Sequence, residues 1–215
     1  MEKKILIELF IDEADKENGL DIISFVSAPA IEKDFMHFNS EVDNFKFKST
    51  DEEKRIVTGA CMIPNQEIVR MDAEGNPYFV FFTSETIEKA QEVFAKYGKT
   101  KATNFEHEES NIEGATVVES WIVKDPKNDK SNALGFDVPA NTWMVSYKVD
   151  NEELWTKVKN GEVSGFSIEG VFSKNIVKMS EEEIDLEIIE KIVTNEDLTE
   201  EQKYNEISVI ISKLV

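Results

Sequence analysis

Asn160-Gly161-Glu162-Val163-Ser164-Gly165-Phe166-Ser167-Ile168-Glu169-Gly170 reads as a helix stop followed by a strand flanked by glycines. Strand alternation puts Gly165, Ser167 and Glu169 on one face and Phe166 and Ile168 on the other. Glycines beside a serine let a substrate backbone approach and leave amide donors for an oxyanion. Ser167 is therefore the candidate nucleophile, with Gly165 and Gly170 as candidate oxyanion and substrate contacts. Serines in strands are common, so this stretch alone does not select an activity.

Outward from it, strand signals dominate. Runs rich in β-branched and aromatic residues occupy 4–11, 22–26, 42–48, 55–63, 78–82, 116–124, 142–149 and 162–172. Turn signals separate several of them: Asn18-Gly19, Pro29, Pro64-Asn65 and Gly75-Asn76-Pro77. One amphipathic helix is expected over 84–97, with Ser84 as N-cap, Gly98 as stop, and Ile87, Ala90, Val93, Phe94 and Tyr97 on its packing face. A short helix is expected over 150–160, capped by Asp150 with Glu153 at the reciprocal position. The polar segment 125–140 reads as an exposed loop. The fold class is α+β, mainly β.

Beyond Lys178 the composition changes. Residues 179–215 carry eleven acidic and three basic side chains. Two capping boxes, Ser180-x-x-Glu183 and Thr199-x-x-Gln202, open amphipathic helical patterns there. The expected organisation is a core over 1–178 and an acidic helical tail over 179–215. That tail is either a separable appendage that docks a partner or is cleaved away, or a helical pair folded back on the core.

The 215 residues carry 44 acidic against 24 basic side chains, a net charge of −20. Such a surface repels phosphate backbones and anionic membranes, so neither nucleic acid nor membrane is an expected partner. No apolar run approaches the ~20 residues of a membrane-spanning helix. The N-terminal run is interrupted by Glu8 and lacks a small-residue cleavage site, so it reads as a strand rather than a leader. The single cysteine, Cys61, lies in an apolar run and reads as a small buried hydrophobe. No spacing suggests a metal or a cofactor.

Only two histidines are present, His37 and His107. His37 sits among bulky apolar residues and reads as packed. His107 lies in a polar segment, Asn104-Phe105-Glu106-His107-Glu108-Glu109, whose carboxylates would stabilise an imidazolium. A serine nucleophile needs a base and a group that orients the base. His107 is the available base. Glu119 is the foremost orienting candidate, because a carboxylate within Val117-Val118-Glu119-Ser120-Trp121-Ile122-Val123 is costly unless paired. A Lys or Arg partner would satisfy it equally, and Glu169 and Asp137 are further candidates. A metal site on His107 with Glu106, Glu108 and Glu109 is disfavoured, since consecutive residues of an extended chain cannot face one ion.

Taken in order, Ser24-x-Val26 leading to Pro29-Ala30-Ile31, Asn104-x-x-His107-Glu108, Val118-Glu119-Ser120-Trp121-Ile122-Val123, Pro139-Ala140-Asn141-Thr142-Trp143 and Gly165-Phe166-Ser167-Ile168-Glu169-Gly170 resemble the XkdF-like phage prohead serine proteases. Asn141 stands where glycine is usual in that group. The resemblance covers about residues 5–178 and implies a herpesvirus-assemblin-like β-barrel with surrounding helices and a serine–histidine site on Ser167 and His107. It also implies cleavage of scaffold and major capsid protein in the host cytoplasm, inside the assembling prohead, commonly with self-cleavage, and it admits a homodimer. The competing expectation is a catalytically silent structural head protein that keeps the fold.

Overall fold

The computed structural model describes residues 5–12, 14–15, 17–27 and 48–178, with short pieces of the tail at 192–194, 198–199 and 202–204. His37 and the Pro29-Ala30-Ile31 stretch fall outside these residues, as do residues 42–47 of the expected strand over 42–48 and the box at Ser180. The second capping box is formed: Thr199 N–H donates to Gln202 Oε1 at 2.9 Å and Gln202 N–H to Thr199 Oγ1 at 3.3 Å.

Ten strands are described: β1 (Leu6–Phe10), β2 (Gly19–Val26), β3 (Lys48–Asp51), β4 (Ile56–Met62), β5 (Ile68–Met71), β6 (Pro77–Phe82), β7 (Ala115–Ile122), β8 (Trp143–Val149), β9 (Gly165–Val171) and β10 (Ser173–Lys178). They form three sheets, ordered β10-β1-β6-β5, β2-β9 and β3-β4-β8-β7. β1 and β6 run parallel; the other pairs are antiparallel.

The closed barrel implied by the resemblance is not formed among the described residues; the sheets are open. Two local events account for this. The outer edge of β2 is taken by the irregular segment 102–106, through Ile23 N–H to Ala102 O and Phe25 N–H to Asn104 O. At its far end β9 passes through Phe172 into β10, which pairs in a different sheet.

β8 explains where the core lies. It runs between β4 and β7 and is buried along nearly its whole length, one face aromatic and aliphatic and the other mixed, with Met144, Ser146 and Lys148. Trp143, Val145, Tyr147 and Val149 enter the main core with Phe25, Phe94 and Phe166. Met144 points the other way, into a small second core with Ala60, Ile63, Val123, Phe136 and Val138. The segment 125–140 is therefore not simply an exposed loop. It carries a short helix, α2 (Lys130–Ala133), and buries two of its apolar side chains. Its polar composition hid this, because two anchors among sixteen residues leave no periodic signal.

The longer helices are α1 (Ser84–Lys96) and α3 (Glu152–Lys159). α1 is capped by Thr83 rather than Ser84, the Thr83 hydroxyl accepting from Thr86 N–H. α3 is capped by Asn151 rather than Asp150, through Leu154 N–H at 2.9 Å. Ile87, Ala90 and Phe94 bury the inner face of α1, with Phe94 edge-on to Trp143 at 5.6 Å. Burial pushes the Cys61 thiol well above its usual range, in keeping with a packed hydrophobe.

Candidate functional site

The pairing of β2 with β9 sets Ser24 opposite Ser167 and Ile22 opposite Glu169. Opposite residues of an antiparallel pair share a face, with Cβ atoms about 4.5–5.5 Å apart. Ser24, Ser167 and Glu169 thus converge on one side of the pair, while Phe25, Phe166 and Ile23 enter the core. The backbone direction follows too. Ile23 and Phe25 direct their N–H groups to segment 102–106, so those of Ser24 face β9. Ser24 and Ser167 accordingly exchange backbone bonds, and the Ser167 amide is not available to an oxyanion. The amide of Ile168 faces away from β2.

His107 arrives from the outer edge of β2. Segment 102–106 runs alongside that strand, with a parallel bridge between Phe25 and Phe105. The chain then turns through two successive left-handed residues, Glu106 (φ 48°) and His107 (φ 61°). Each such conformation costs a non-glycine residue ~1 kcal/mol or more and persists only where surroundings enforce it. Here Glu106 N–H donates to Phe25 O at 3.0 Å and Glu108 N–H to Phe105 O at 2.9 Å. The Glu106 carboxylate accepts from Ser27 N–H at 2.6 Å, and Asn104 Nδ2 donates to Glu108 O at 2.9 Å. The turn is pinned from both sides.

The imidazole meets Glu169. One oxygen, Oε1, lies 2.7 Å from Ser24 Oγ, 2.7 Å from Asn104 Nδ2 and 2.9 Å from His107 Nδ1. An oxygen approached by three donor groups is a carboxylate oxygen rather than a protonated one. Burial works against ionisation of Glu169, but the hydrogen bonds from Ser24, Asn104 and His107 outweigh it and hold the carboxyl below its ordinary value. With Glu169 ionised, Nδ1 carries the proton. The 3.2 Å contact between Ser24 Oγ and Nδ1 is then the weaker arm of a shared bond. The neutral imidazole is left with its lone pair on Nε2, the form a general base requires.

Ser167 is nearly buried, and its Oγ makes no hydrogen bond to a described residue. It is reached through a slot bounded by Met62, Ile63, Gln66, Ile68, Arg70 and Phe82, with a volume of about 20 Å³. That is room for one water molecule, so the serine opens to a crevice rather than a deep pocket. A larger cavity, about 670 Å³, lies elsewhere, against α1 and strands β1 and β10. It contains no histidine, so size does not locate the chemistry.

The β2–β9 register sets Ser167 on the face of Ser24 and Glu169, the two groups that meet His107 Nδ1, but Glu119 stands apart on β7. Its carboxylate pairs with Lys130 Nζ and accepts from Ser146 Oγ at 3.0 Å. Those two bonds, the one from Lys130 foremost, keep its pKa below the usual value despite some desolvation. The register of β7 against β8 shifts between Val117 and Glu119, and the run 118–120 turns to solvent. That irregularity answers the expected cost of burying Glu119: the residue is not buried. Asp137 is exposed between the buried Phe136 and Val138. Gly165 opens β9 opposite Val26. At Gly170 a Cβ would lie 2.2 Å from Gly19 O, so this glycine permits the close approach of β2 and β9. Among the described residues no group of three or more His, Cys, Asp and Glu side chains is placed to hold a metal.

Two members of this network carried little signal in the sequence. Ser24 is one hydroxyl in an apolar strand, and Asn104 is one amide before a histidine. Glu169 had a better signal, as a carboxylate two residues beyond the serine and therefore on its face.

The family described as "Putative phage serine protease XkdF" matches residues 41–177. Two curated proteins of Bacillus subtilis (strain 168) are similar. "Uncharacterized protein YqbD" is 26% identical over 167 residues, covering 78% of this chain and 44% of that protein. "Phage-like element PBSX protein XkdF" is 25% identical over 169 residues, covering 78% of this chain and 52% of that protein. The chain thus spans about half the length of the curated relatives it matches. No solved structure matches it.

Proposed function

We propose, from the premise that the chain belongs to the family described as "Putative phage serine protease XkdF", that it is a serine endopeptidase of phage head maturation. Ser167 is the nucleophile, His107 the general base and Glu169 the orienting carboxylate. Glu169 takes the place the sequence reading gave to Glu119. The observation that carries this reading is the 2.9 Å contact of Glu169 Oε1 with His107 Nδ1, on the strand and face that bear Ser167.

The roles in this reading are those of a serine–histidine–carboxylate site. Ser167 Oγ attacks the scissile carbonyl while His107 Nε2 takes its proton. The imidazolium that forms is stabilised by the Glu169 carboxylate at Nδ1. The proton passes to the leaving amine, and water then hydrolyses the acyl-enzyme by the same base. Because the Ser167 amide is engaged with Ser24, the oxyanion is served by amides facing away from β2, that of Ile168 among them. Left-handed backbone at His107 holds the ring in place before substrate arrives.

The substrates in this reading are scaffold and major capsid protein inside the assembling prohead, with cleavage of the chain itself. The test is reaction with a fluorophosphonate, whose phosphorus is attacked by an activated serine with loss of fluoride, whatever the peptide specificity. Mass spectrometry should place the adduct on Ser167 and find none in Ser167→Ala. Equal labelling of the two proteins would sink the assignment. Co-expression with scaffold and capsid protein then tests the substrates: fragments should appear with wild type and not with Ser167→Ala.

A further inference from the structure

Ser24 belongs to a stretch that resembled the family, yet the proposed reaction gives it no role. It is fully buried on β2 directly opposite Ser167. Its hydroxyl donates to Glu169 Oε1 at 2.7 Å and lies 3.2 Å from His107 Nδ1. We propose that Ser24 is a positioning residue of this site, which with Asn104 fixes the Glu169 carboxylate so that it meets Nδ1 of His107 and leaves Nε2 to Ser167. The proposal rests on the serine-hydrolase reading above.

Three points argue for positioning over direct attack. Ser24 has no exposed surface, so no carbonyl reaches its oxygen. Its proton is committed to a carboxylate at hydrogen-bond distance. It also approaches the imidazole at the nitrogen that already faces Glu169, whereas a nucleophile must face the other. The contribution is geometric and electrostatic. Glu169 is partly open to solvent, with its side chain 33% exposed, and His107 more so at 41%. A glutamate so placed has freedom to turn toward water. Two donors from buried residues, Ser24 and the 1%-exposed Asn104, direct Oε1 back to the ring.

The test uses the full chain in three forms: wild type, Ser24→Ala and Ser24→Cys. The cysteine fills the same space with a weak donor and decides the matter should the alanine variant fold poorly. On each, the titration of the Glu169 carboxyl is followed by carbon NMR, and fluorophosphonate labelling is resolved into probe affinity and maximal rate. The expected result is an upward move of the Glu169 titration in both variants. The maximal labelling rate should fall about tenfold at unchanged probe affinity, the scale of one hydrogen bond to a charged group. The adduct should remain on Ser167. An unmoved Glu169 titration, an unchanged maximal rate, or an adduct on Ser24 in wild type would each overturn the proposal. A wild type that takes no label anywhere speaks against the hydrolase reading instead. In that case the Glu169 titration, measured on the same samples, still decides whether Ser24 holds the carboxylate.

Discussion

β7 and β9 each carry a carboxylate inside an apolar run, and the two have opposite fates. Glu119 on β7 faces solvent at a register shift and pairs with Lys130, a flexible cation with three rotatable donors. Glu169 on β9 faces a pinned turn and receives a hydroxyl, an amide and an imidazole on one oxygen. The first arrangement ties the segment 125–140 to its sheet. The second fixes the tautomer of a histidine. A carboxylate in an apolar strand announces that it has a partner; whether that partner is a lysine or a histidine depends on which strand edge and which loop the fold sets beside it.

The sharpest break of this comparison begins with Ser167 on β9. Ser167→Ala should lower fluorophosphonate labelling or substrate cleavage by ~10⁴-fold or more, as removal of a triad nucleophile does. Next comes the contrast between carboxylates. Glu169→Gln should cost on the order of 10³–10⁴-fold in the same assay, since an amide favours the wrong tautomer of His107. Glu119→Gln should change the rate less than about threefold. If the two effects were reversed, Glu119 would regain the orienting role. Its expected cost is instead in stability, about 0.2–1 kcal/mol, the range of exposed ion pairs.

The strand approach itself can be strained. Gly170→Ala must push β2 and β9 apart at Gly19 O, and should destabilise by ~2 kcal/mol in urea unfolding, in the range of overpacked sites. A wild-type midpoint in that variant would show that the close approach is dispensable. The smallest effect concerns pH. The folded-state pKa of Glu169 lies below its ordinary value, so its bonds stabilise the fold above the unfolded pKa and are lost as pH falls through the folded one. Wild type should therefore lose more stability than Glu169→Gln between about pH 6 and about pH 3, measured by thermal unfolding at each pH. A parallel decline would mean that Glu169 gains nothing from its three partners.

Much of this was legible in the residues, for physical reasons. Strands such as β4 and β8 declare themselves because buried β-branched and aromatic runs have few alternatives, and α1 because its apolar positions repeat at helical spacing. Caps were misplaced by one residue at both α1 and α3, since Thr83-Ser84 and Asp150-Asn151 each offer two competent neighbours and local sequence does not rank them. Ser167 and His107 stood out as candidates because the chain has few histidines and sets this serine between glycines. The contact of Glu169 with His107 was not legible, because it depends on a register shift in β7 and on the β2–β9 pairing, neither of which has a period.

By itself the amino-acid sequence determined a mainly β chain with one amphipathic helix and an acidic tail, and singled out Ser167 and His107 as candidates. Those conclusions follow from patterns within single elements. Only the tertiary structure decided that the sheets stay open, that Ser24 and Asn104 belong to the site, and that Glu169 rather than Glu119 meets His107. These depend on residues as far apart as Ser24 and Glu169 sharing one face, and contact across such a separation is a property of strand pairing and loop placement, not of any local run of side chains.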